Sequence, residues 1–224
     1  MSSRDKIMAK VRTGLGVRPG DARRREGVEQ RLAGHERHLI PSRAAAKSDA
    51  ERVAILRRWL EAASAHVIEA ASEAQVPGAI AGYLREHNQP ARVRTGDDAL
   101  LAGLPWATEP TLTIERGRAQ PSDTAGVTHA LAAVAESGTV VVASGAANPV
   151  TLSFLPETNI VVVRRADVVG PLEDALAMAR SAAGTHAMPR TLNMISGPSR
   201  SADIGGVPVL GAHGPRRLCV IVVG

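Results

Sequence analysis

The chain has 224 residues, of which 44% are hydrophobic and 22% charged, and its formal net charge is +5. This is the composition of a folded globular protein that is long enough to bury its own hydrophobic core. The single cysteine, Cys219, excludes an internal disulfide and a cysteine-ligated zinc or iron–sulfur site, and the 2% of aromatic residues argues against a base-stacking surface for single-stranded nucleic acid.

The positive charge is concentrated in the N-terminal part of the chain. Residues 1–60 contain 15 Lys and Arg against 7 Asp and Glu, whereas residues 61–224 contain 12 against 15. Such a segment is either a solvated helical arm or a surface for an acidic partner, and its interleaved acids argue against nucleic acid. With no secretory signal and no apolar run of membrane-spanning length, we expect a soluble cytoplasmic protein.

Residues 1–90 are predicted to form a helical N-terminal arm. Ser48 begins a sequence with the spacing of a capping box, which marks the start of a helix. Apolar residues then recur every three or four positions over 53–71, which predicts one long amphipathic helix. Pro77 suits the first turn of a second helix that ends before Pro90.

Residues 91–224 are predicted to form an α/β domain whose mostly parallel sheet is flanked by helices. Apolar runs of strand length alternate with two helical patterns, at 122–136 and 171–183. The run 139–143 is apolar on both faces, which is typical of a parallel strand between two layers of helices. The last two runs are close enough to form an antiparallel edge hairpin. The predicted strands lie at 91–95, 111–115, 138–143, 159–163, 191–195, 207–210 and 217–223.

Glu136 is the first candidate for chemistry. The predicted helix 122–136 would place it at a helix C-terminus, where the helix dipole disfavours a carboxylate unless another function requires it. It is therefore a candidate general base, nucleophile or partner-binding acid. The alternative is an exposed glutamate at the end of a helix.

The segment that begins at Ser196 is the second candidate. A predicted strand ends there in a turn of Ser, Gly and Pro residues, whose small side chains and free amides let an anion approach the backbone. Arg200 could hold a carboxylate or a phosphate with two hydrogen bonds. The alternative is ordinary turn chemistry, in which Asp203 holds Arg200 or caps the turn.

His213 lies between glycines in a predicted turn, where it could act as an acid, a base or a hydrogen-bond donor near neutral pH. The alternative is a turn histidine bonded to the backbone. Ser199, Asp203 and His213 are the residue types of a hydrolase triad, but their order and spacing match no familiar arrangement. The sequence contains no P-loop, dinucleotide-binding motif, nucleophile elbow or metal-binding histidine spacing.

Three segments resemble one known family. Segments 196–204 and 209–216 resemble the C-terminal signature of the lactate utilization protein C family (LutC/YkgG), which contains a LUD domain, and segment 126–139 resembles its central motif. The resemblance implies a fold of the NagB/RpiA/CoA-transferase type over residues 91–224. It also implies a role in oxidising L-lactate to pyruvate with two partner proteins that carry iron–sulfur clusters. Because one cysteine cannot ligate a cluster, we expect no cofactor and no metal in this chain.

Two functions of different classes remain open. The first is a non-redox accessory subunit of a lactate-oxidising assembly, which docks through its basic arm and binds a small anion such as lactate, pyruvate or a nucleotide-like ligand. In this function Arg200 clamps the anion, the serines donate hydrogen bonds, Asp203 orients Arg200, and His213 is a polar gate or proton carrier. The second is a stand-alone enzyme for acyl or CoA transfer, sugar-phosphate isomerisation or ATP-dependent ligation, with Glu136 as its key carboxylate. The residues expected to bind the ligand are Ser196, Gly197, Ser199, Arg200, Asp203 and Gly214.

Overall fold

The structure is a computed structural model that describes residues 2–18, 20–35, 37, 39–43, 47–184, 188–201, 206–207 and 209–224. The chain divides into two compact units, Met1–Leu39 and Ile40–Gly224. The first unit contains α1 (Ser3–Gly14) and α2 (Ala22–Gly34), and neither helix has a buried residue. None of the helices in the described ranges is both long and apolar enough to span a bilayer.

The second unit alternates helices and strands. Its first part contains α3 (Asp49–Ala62), β1 (His66–Ala70), α4 (Val76–Glu86), β2 (Arg92–Thr95), α5 (Ala99–Gly103), β3 (Thr113–Arg116), β4 (Ala125–His129), β5 (Ala132–Val134) and β6 (Thr139–Ala143). Its second part contains α6 (Thr151–Phe154), β7 (Thr158–Arg164), β8 (Val168–Val169), α7 (Leu172–Ala182), β9 (Leu192–Ile195), β10 (Arg200–Ser201), β11 (Val209–Leu210) and β12 (Arg217–Val223).

A six-stranded sheet forms the centre of this unit, in the order β1–β12–β7–β4–β2–β3. All five neighbouring pairs are parallel. The C-terminal strand β12 is interior, and its Val220 pairs with Val67 on one side and Val161 on the other. Strands covered on both faces read as continuous apolar runs, as β7 and β12 do. The predicted α/β class with a mostly parallel sheet is therefore confirmed.

Two hydrophobic cores lie on opposite faces of the large sheet. On one face, Ile80, Leu84 and Leu101 of α4 and α5 pack against the sheet. On the other face, Leu56 and Leu60 of α3 pack together with a second, four-stranded sheet of order β8–β5–β6–β9. The helix α7 covers the outer side of that second sheet. The chain thus stacks two sheets between helical layers.

The segment after Ser48 follows the prediction at its start and departs from it at its end. Ser48 Oγ accepts a hydrogen bond from the Glu51 amide at 3.3 Å, and the Glu51 carboxyl accepts one from the Ser48 amide at 2.9 Å, so the capping box is confirmed. The helix ends at Ala62, because Ser64 adopts a left-handed φ of 67° and redirects the chain into β1. The predicted helix over 53–71, and with it a wholly helical arm over 1–90, is wrong.

Three further predictions are wrong. The segment 122–136 is not a helix but contains β4 and β5. The run 139–143 forms β6, which is antiparallel to both β5 and β9 rather than a parallel strand. The last two strands do not form a hairpin, because β11 pairs with β10 while β12 inserts into the large sheet. In each case burial between layers overrides local pattern and propensity.

Gly126 allows α6 to pack directly on β4. A Cβ atom at this position would lie 2.3 Å from the carbonyl oxygen of Leu152 and 3.1 Å from Pro156 Cγ. Because a backbone carbonyl cannot move away as the end of a flexible side chain can, any larger residue would separate α6 from the sheet.

We expect Gly126→Ala to lower the free energy of unfolding by about 2 kcal/mol or more, because it overpacks a backbone contact. The control is Gly145→Ala, where an added Cβ would meet nothing within 4 Å. That variant should stay within about 0.5 kcal/mol of the parent. Urea unfolding of the two variants measures both values, and equal midpoints would contradict the close packing of α6 on β4.

Candidate functional site

A cavity of about 230 Å³ lies where the segment after β9 meets the segment before β12. It brings together five residues that the sequence analysis selected: Ser196, Gly197, Ser199, His213 and Gly214. Apolar side chains, among them Phe154, Met194 and Leu218, form much of the remaining wall. Two sequence segments that were predicted to bind one ligand are thus neighbours in space.

Two buried polar side chains that the sequence analysis missed also line this cavity. Asn159, in β7, is 1% exposed, and within the described part of the chain neither its amide nitrogen nor its amide oxygen has a hydrogen-bond partner. The hydroxyl of Ser153, in α6, is likewise buried without a partner there. A buried polar group without a partner costs about 1–3 kcal/mol, so such groups facing a cavity indicate a ligand or water that satisfies them.

Ser199 fixes the turn that contains His213. The amide of Ser199 donates to the carbonyl oxygen of Pro215 at 2.8 Å, and its carbonyl oxygen accepts from the Gly211 amide at 2.9 Å. Its hydroxyl accepts from the backbone amide of His213 at 3.3 Å. The imidazole of His213 is exposed, so this side chain stands at the solvent side of the cavity.

Ser196 ends a short chain of hydroxyl groups. Its Oγ is 2.7 Å from Thr139 Oγ1, which is 2.8 Å from Ser137 Oγ. Hydroxyl groups can donate and accept at once, so this chain holds Ser196 in place while leaving it hydrogen-bonding capacity toward the cavity. The adjacent Gly197 is needed for packing, since a Cβ there would lie 3.0 Å from the carbonyl oxygen of Ala63.

The cavity lies at the opposite end of the large sheet from the one expected for open parallel sheets. Asn159 and Leu218 are each the second residue of their strands, so the cavity adjoins the amino ends of β7 and β12. Ligands of open α/β sheets usually bind beyond the carboxyl ends. In this protein the cavity instead adjoins the carboxyl end of a strand of the second sheet, β9.

The predicted anion clamp, Arg200, does not line this cavity. Its guanidinium donates a hydrogen bond to the hydroxyl of Ser64, in the turn between α3 and β1. Asp203, which was expected to orient Arg200, lies outside the described residues. The clamp role of Arg200 is therefore not reproduced at the cavity that contains the serines.

Glu136 has a structural environment different from the predicted one. It follows β5 rather than a helix, and its Oε1 accepts a hydrogen bond at 3.0 Å from the amide of Leu172, the first residue of α7. It therefore faces the positive end of a helix dipole, not the negative end. The residue is 9% exposed, so the alternative of an exposed helix-end glutamate is also wrong.

The carboxyl ends of β2 and β4 carry a second polar arrangement. His129 Nδ1 is 2.9 Å from Asp98 Oδ1, and the same oxygen accepts from the Leu100 amide at 3.0 Å. Burial alone would raise the pKa of Asp98, but the hydrogen bond from His129 and those from two backbone amides outweigh it and lower this pKa. This pair joins the start of α5 to the end of β4.

Cys219 is a small buried hydrophobe, as predicted. Its burial raises the pKa of the thiol and keeps the thiol protonated. Within the described ranges, no three His, Cys, Asp or Glu side chains lie together as metal ligands would.

Comparison with known proteins identifies one domain family. The LUD domain family matches residues 116–223, which include both segments of the cavity. A crystal structure of a DUF162 family protein from Deinococcus radiodurans matches with a TM-score of 0.59 and 28% identity, and covers 80% of this chain and 99% of that one. The architecture described above is therefore shared with a solved protein.

Curated relatives match over a shorter stretch. Lactate utilization protein C of a Geobacillus species is 40% identical over 99 residues, which are 44% of this chain and 41% of that protein. The protein of the same name from Shouchella clausii is 38% identical over 98 residues, 44% and 43% of the two chains. The Escherichia coli protein YkgG is 34% identical over 99 residues, again 44% and 43%. The chain therefore aligns with less than half the length of these relatives.

We expect Glu136→Ala to lower the free energy of unfolding by about 1–2 kcal/mol, because the first amide of α7 loses its acceptor. Glu136→Gln keeps an oxygen at the same place and should restore most of the loss. Thermal and urea unfolding check both variants. If Glu136→Ala is as stable as the parent, the carboxyl does not act as a helix cap.

Proposed function

We propose that the chain acts in lactate utilization as a non-redox accessory subunit whose cavity binds a small 2-hydroxy or 2-oxo carboxylate, lactate or pyruvate, because residues 116–223 match the LUD domain family and part of the chain is similar to lactate utilization protein C. The observation that carries the proposal is the pair of buried, unpartnered side chains Ser153 and Asn159 in that cavity.

The polar groups of the cavity complement such a ligand. The amide nitrogen of Asn159 and the hydroxyl of Ser153 can donate to a carboxylate, and the amide oxygen of Asn159 can accept from a 2-hydroxyl group. Ser196 and Ser199 add hydroxyl groups at the turn side. The methyl group of lactate would contact the apolar wall. A ligand that pairs these groups recovers the cost of burying them, which favours binding.

The size of the cavity favours a small metabolite. Pockets for drug-sized ligands enclose about 300–1,000 Å³. At about 230 Å³, this cavity is too small for a whole nucleotide or coenzyme A, which weighs against the nucleotide-like ligand and against the CoA-dependent enzyme considered above. The position of Glu136, bonded to the start of α7, also gives that enzyme no catalytic carboxylate in the cavity.

The redox chemistry is proposed to reside on partner proteins. Oxidation of lactate needs an electron acceptor, and a chain with one cysteine cannot ligate an iron–sulfur cluster by itself. We propose that cluster-bearing proteins accept the electrons and that this chain docks on them through residues 1–39. That unit contains 10 Lys and Arg against 5 Asp and Glu and has exposed apolar side chains on α1, so an acidic surface with an apolar strip would complement it.

We expect Asn159→Leu to weaken lactate and pyruvate binding by roughly tenfold or more, since it removes two hydrogen-bonding atoms from the cavity. It should also stabilise the ligand-free protein, because an unpaired polar group is replaced by an apolar one of similar volume. Calorimetric titration and thermal unfolding measure the two effects.

Thr158→Val is the matched control for this variant. Thr158 precedes Asn159 on β7, is equally buried, and has a hydroxyl without a partner among the described residues, but does not line the cavity. This control should leave affinity unchanged. Equal affinity of Asn159→Leu and the parent, or no binding of either acid to the parent, would rule out the proposed ligand site.

We expect the triple variant Arg23→Glu, Arg24→Glu, Arg25→Glu to lose capture of cluster-bearing partners, because it reverses the charge at the start of α2. The assay is an anaerobic pull-down with the tagged full chain from its native host grown on lactate, read by the visible absorbance of iron–sulfur clusters. Capture by the parent should weaken as salt is raised. A colourless parent, or a variant that captures the clusters as well as the parent does, contradicts docking through this unit.

A further inference from the structure

A second cavity, of about 250 Å³, lies at the amino ends of β1 and β12. Its polar lining contains Ser64, His66, Tyr83, His87, Arg216 and Arg217. No carboxylate stands among the described residues that line it. It borders the first cavity at Leu218, which lines both.

Three guanidinium groups converge on this second cavity. Arg216 and Arg217 line it, and Arg200 reaches its rim through the hydrogen bond to the hydroxyl of Ser64. Among the described residues, one carboxylate pairs with these arginines: Glu157 lies 3.1 Å from Arg217 Nη1 and 3.7 Å from Arg216 Nη1. The three guanidinium groups therefore carry two more positive charges than this one carboxylate neutralises. A further acid, Glu86, is exposed at the end of α4.

The remaining lining groups are hydrogen-bonding side chains held in fixed positions. The rings of Tyr83 and His87 stack with their centroids 4.2 Å apart, and that of His66 lies 5.3 Å from the Tyr83 ring. His87 Nδ1 is 2.9 Å from the carbonyl oxygen of Tyr83. Since a carbonyl oxygen only accepts, Nδ1 carries the hydrogen, and Nε2 is the atom of this ring left for another partner.

We propose that this second cavity binds a phosphoryl anion. A phosphoryl group carries close to two negative charges at neutral pH and has three strong acceptor oxygens, which matches the surplus positive charge and the guanidinium and hydroxyl donors of this cavity. A lactate or pyruvate carboxylate carries one charge and suits the first cavity better, since no Arg or Lys is among the described residues that line it. The anion clamp predicted at Arg200 is thereby assigned to a different site from the serine residues of the same sequence segment.

Phosphate titration of the full-length protein, followed by calorimetry or by ³¹P line broadening, tests the site. Arg217→Gln should weaken phosphate binding by roughly tenfold or more, since hydrogen bonds between charged groups are the strongest in the site. Arg216→Gln, which changes the neighbouring lining cation, should weaken binding by a similar factor, and it tests the site if Arg217→Gln does not fold.

Arg85→Gln is the matched control, because it removes the same charge from α4 at a residue that does not line the cavity. It should change phosphate affinity by less than about twofold, as expected for a screened surface charge. Lactate affinity should be unchanged in every one of these variants, which separates this site from the proposed lactate site.

The source of the phosphoryl group is resolved by a second titration with glycerol 3-phosphate. Tighter binding of this monoester than of inorganic phosphate identifies an organic phosphate as the ligand class, and equal binding identifies the free ion. The proposal is overturned if phosphate binds the parent no better than chloride or lactate does, or if Arg217→Gln and Arg216→Gln bind phosphate as the parent does.

Discussion

The burial of β12 between β1 and β7 is the constraint on which the rest of the structure depends. Seven residues of this C-terminal strand pair in register with β7, and five pair with β1. Its side chains enter the cores on both faces of the large sheet, so the last residues of the chain join helices α3 and α4 through one strand. Because β12 lies between two other strands, the large sheet is complete only when β12 is in place. The loop before β12 is anchored by this strand.

The class of fold can be predicted from the sequence because parallel strands that are buried on both faces are almost continuously apolar. The runs that became β7 and β12, and the helix over 171–183, follow from apolar continuity and from helix start and stop residues. The prediction of a helix over 122–136 is wrong for a physical reason. Its many alanines favour a helix in isolation, but small side chains also let the second sheet approach the first, and burial of Ala130, Ala133 and Ala135 decides the outcome.

The candidate site was predictable in part for a related reason. Turn residues such as Ser196, Ser199 and His213 are visible in a sequence because polar and small residues interrupt apolar runs. Asn159 could not be found in this way, since it is the first residue of the predicted strand 159–163 and resembles a polar residue at a strand boundary. Only the three-dimensional arrangement shows that neither end of its amide has a partner among the described residues. The location of Arg200 was missed because its partner, Ser64, is 136 residues away along the chain.

The loop 211–216 leads into β12 and contributes residues to both cavities, and this determines which residues can separate their functions. Ser199 anchors the loop through three hydrogen bonds, so a substitution there would disturb both cavities at once. Asn159 lies on β7 beside the serine turn, and Arg217 lies on β12, which pairs with β7, among the guanidinium groups. Substitution of the strand residues Asn159 and Arg217, rather than of the turn residues that stand out in the sequence, therefore affects one site without the other.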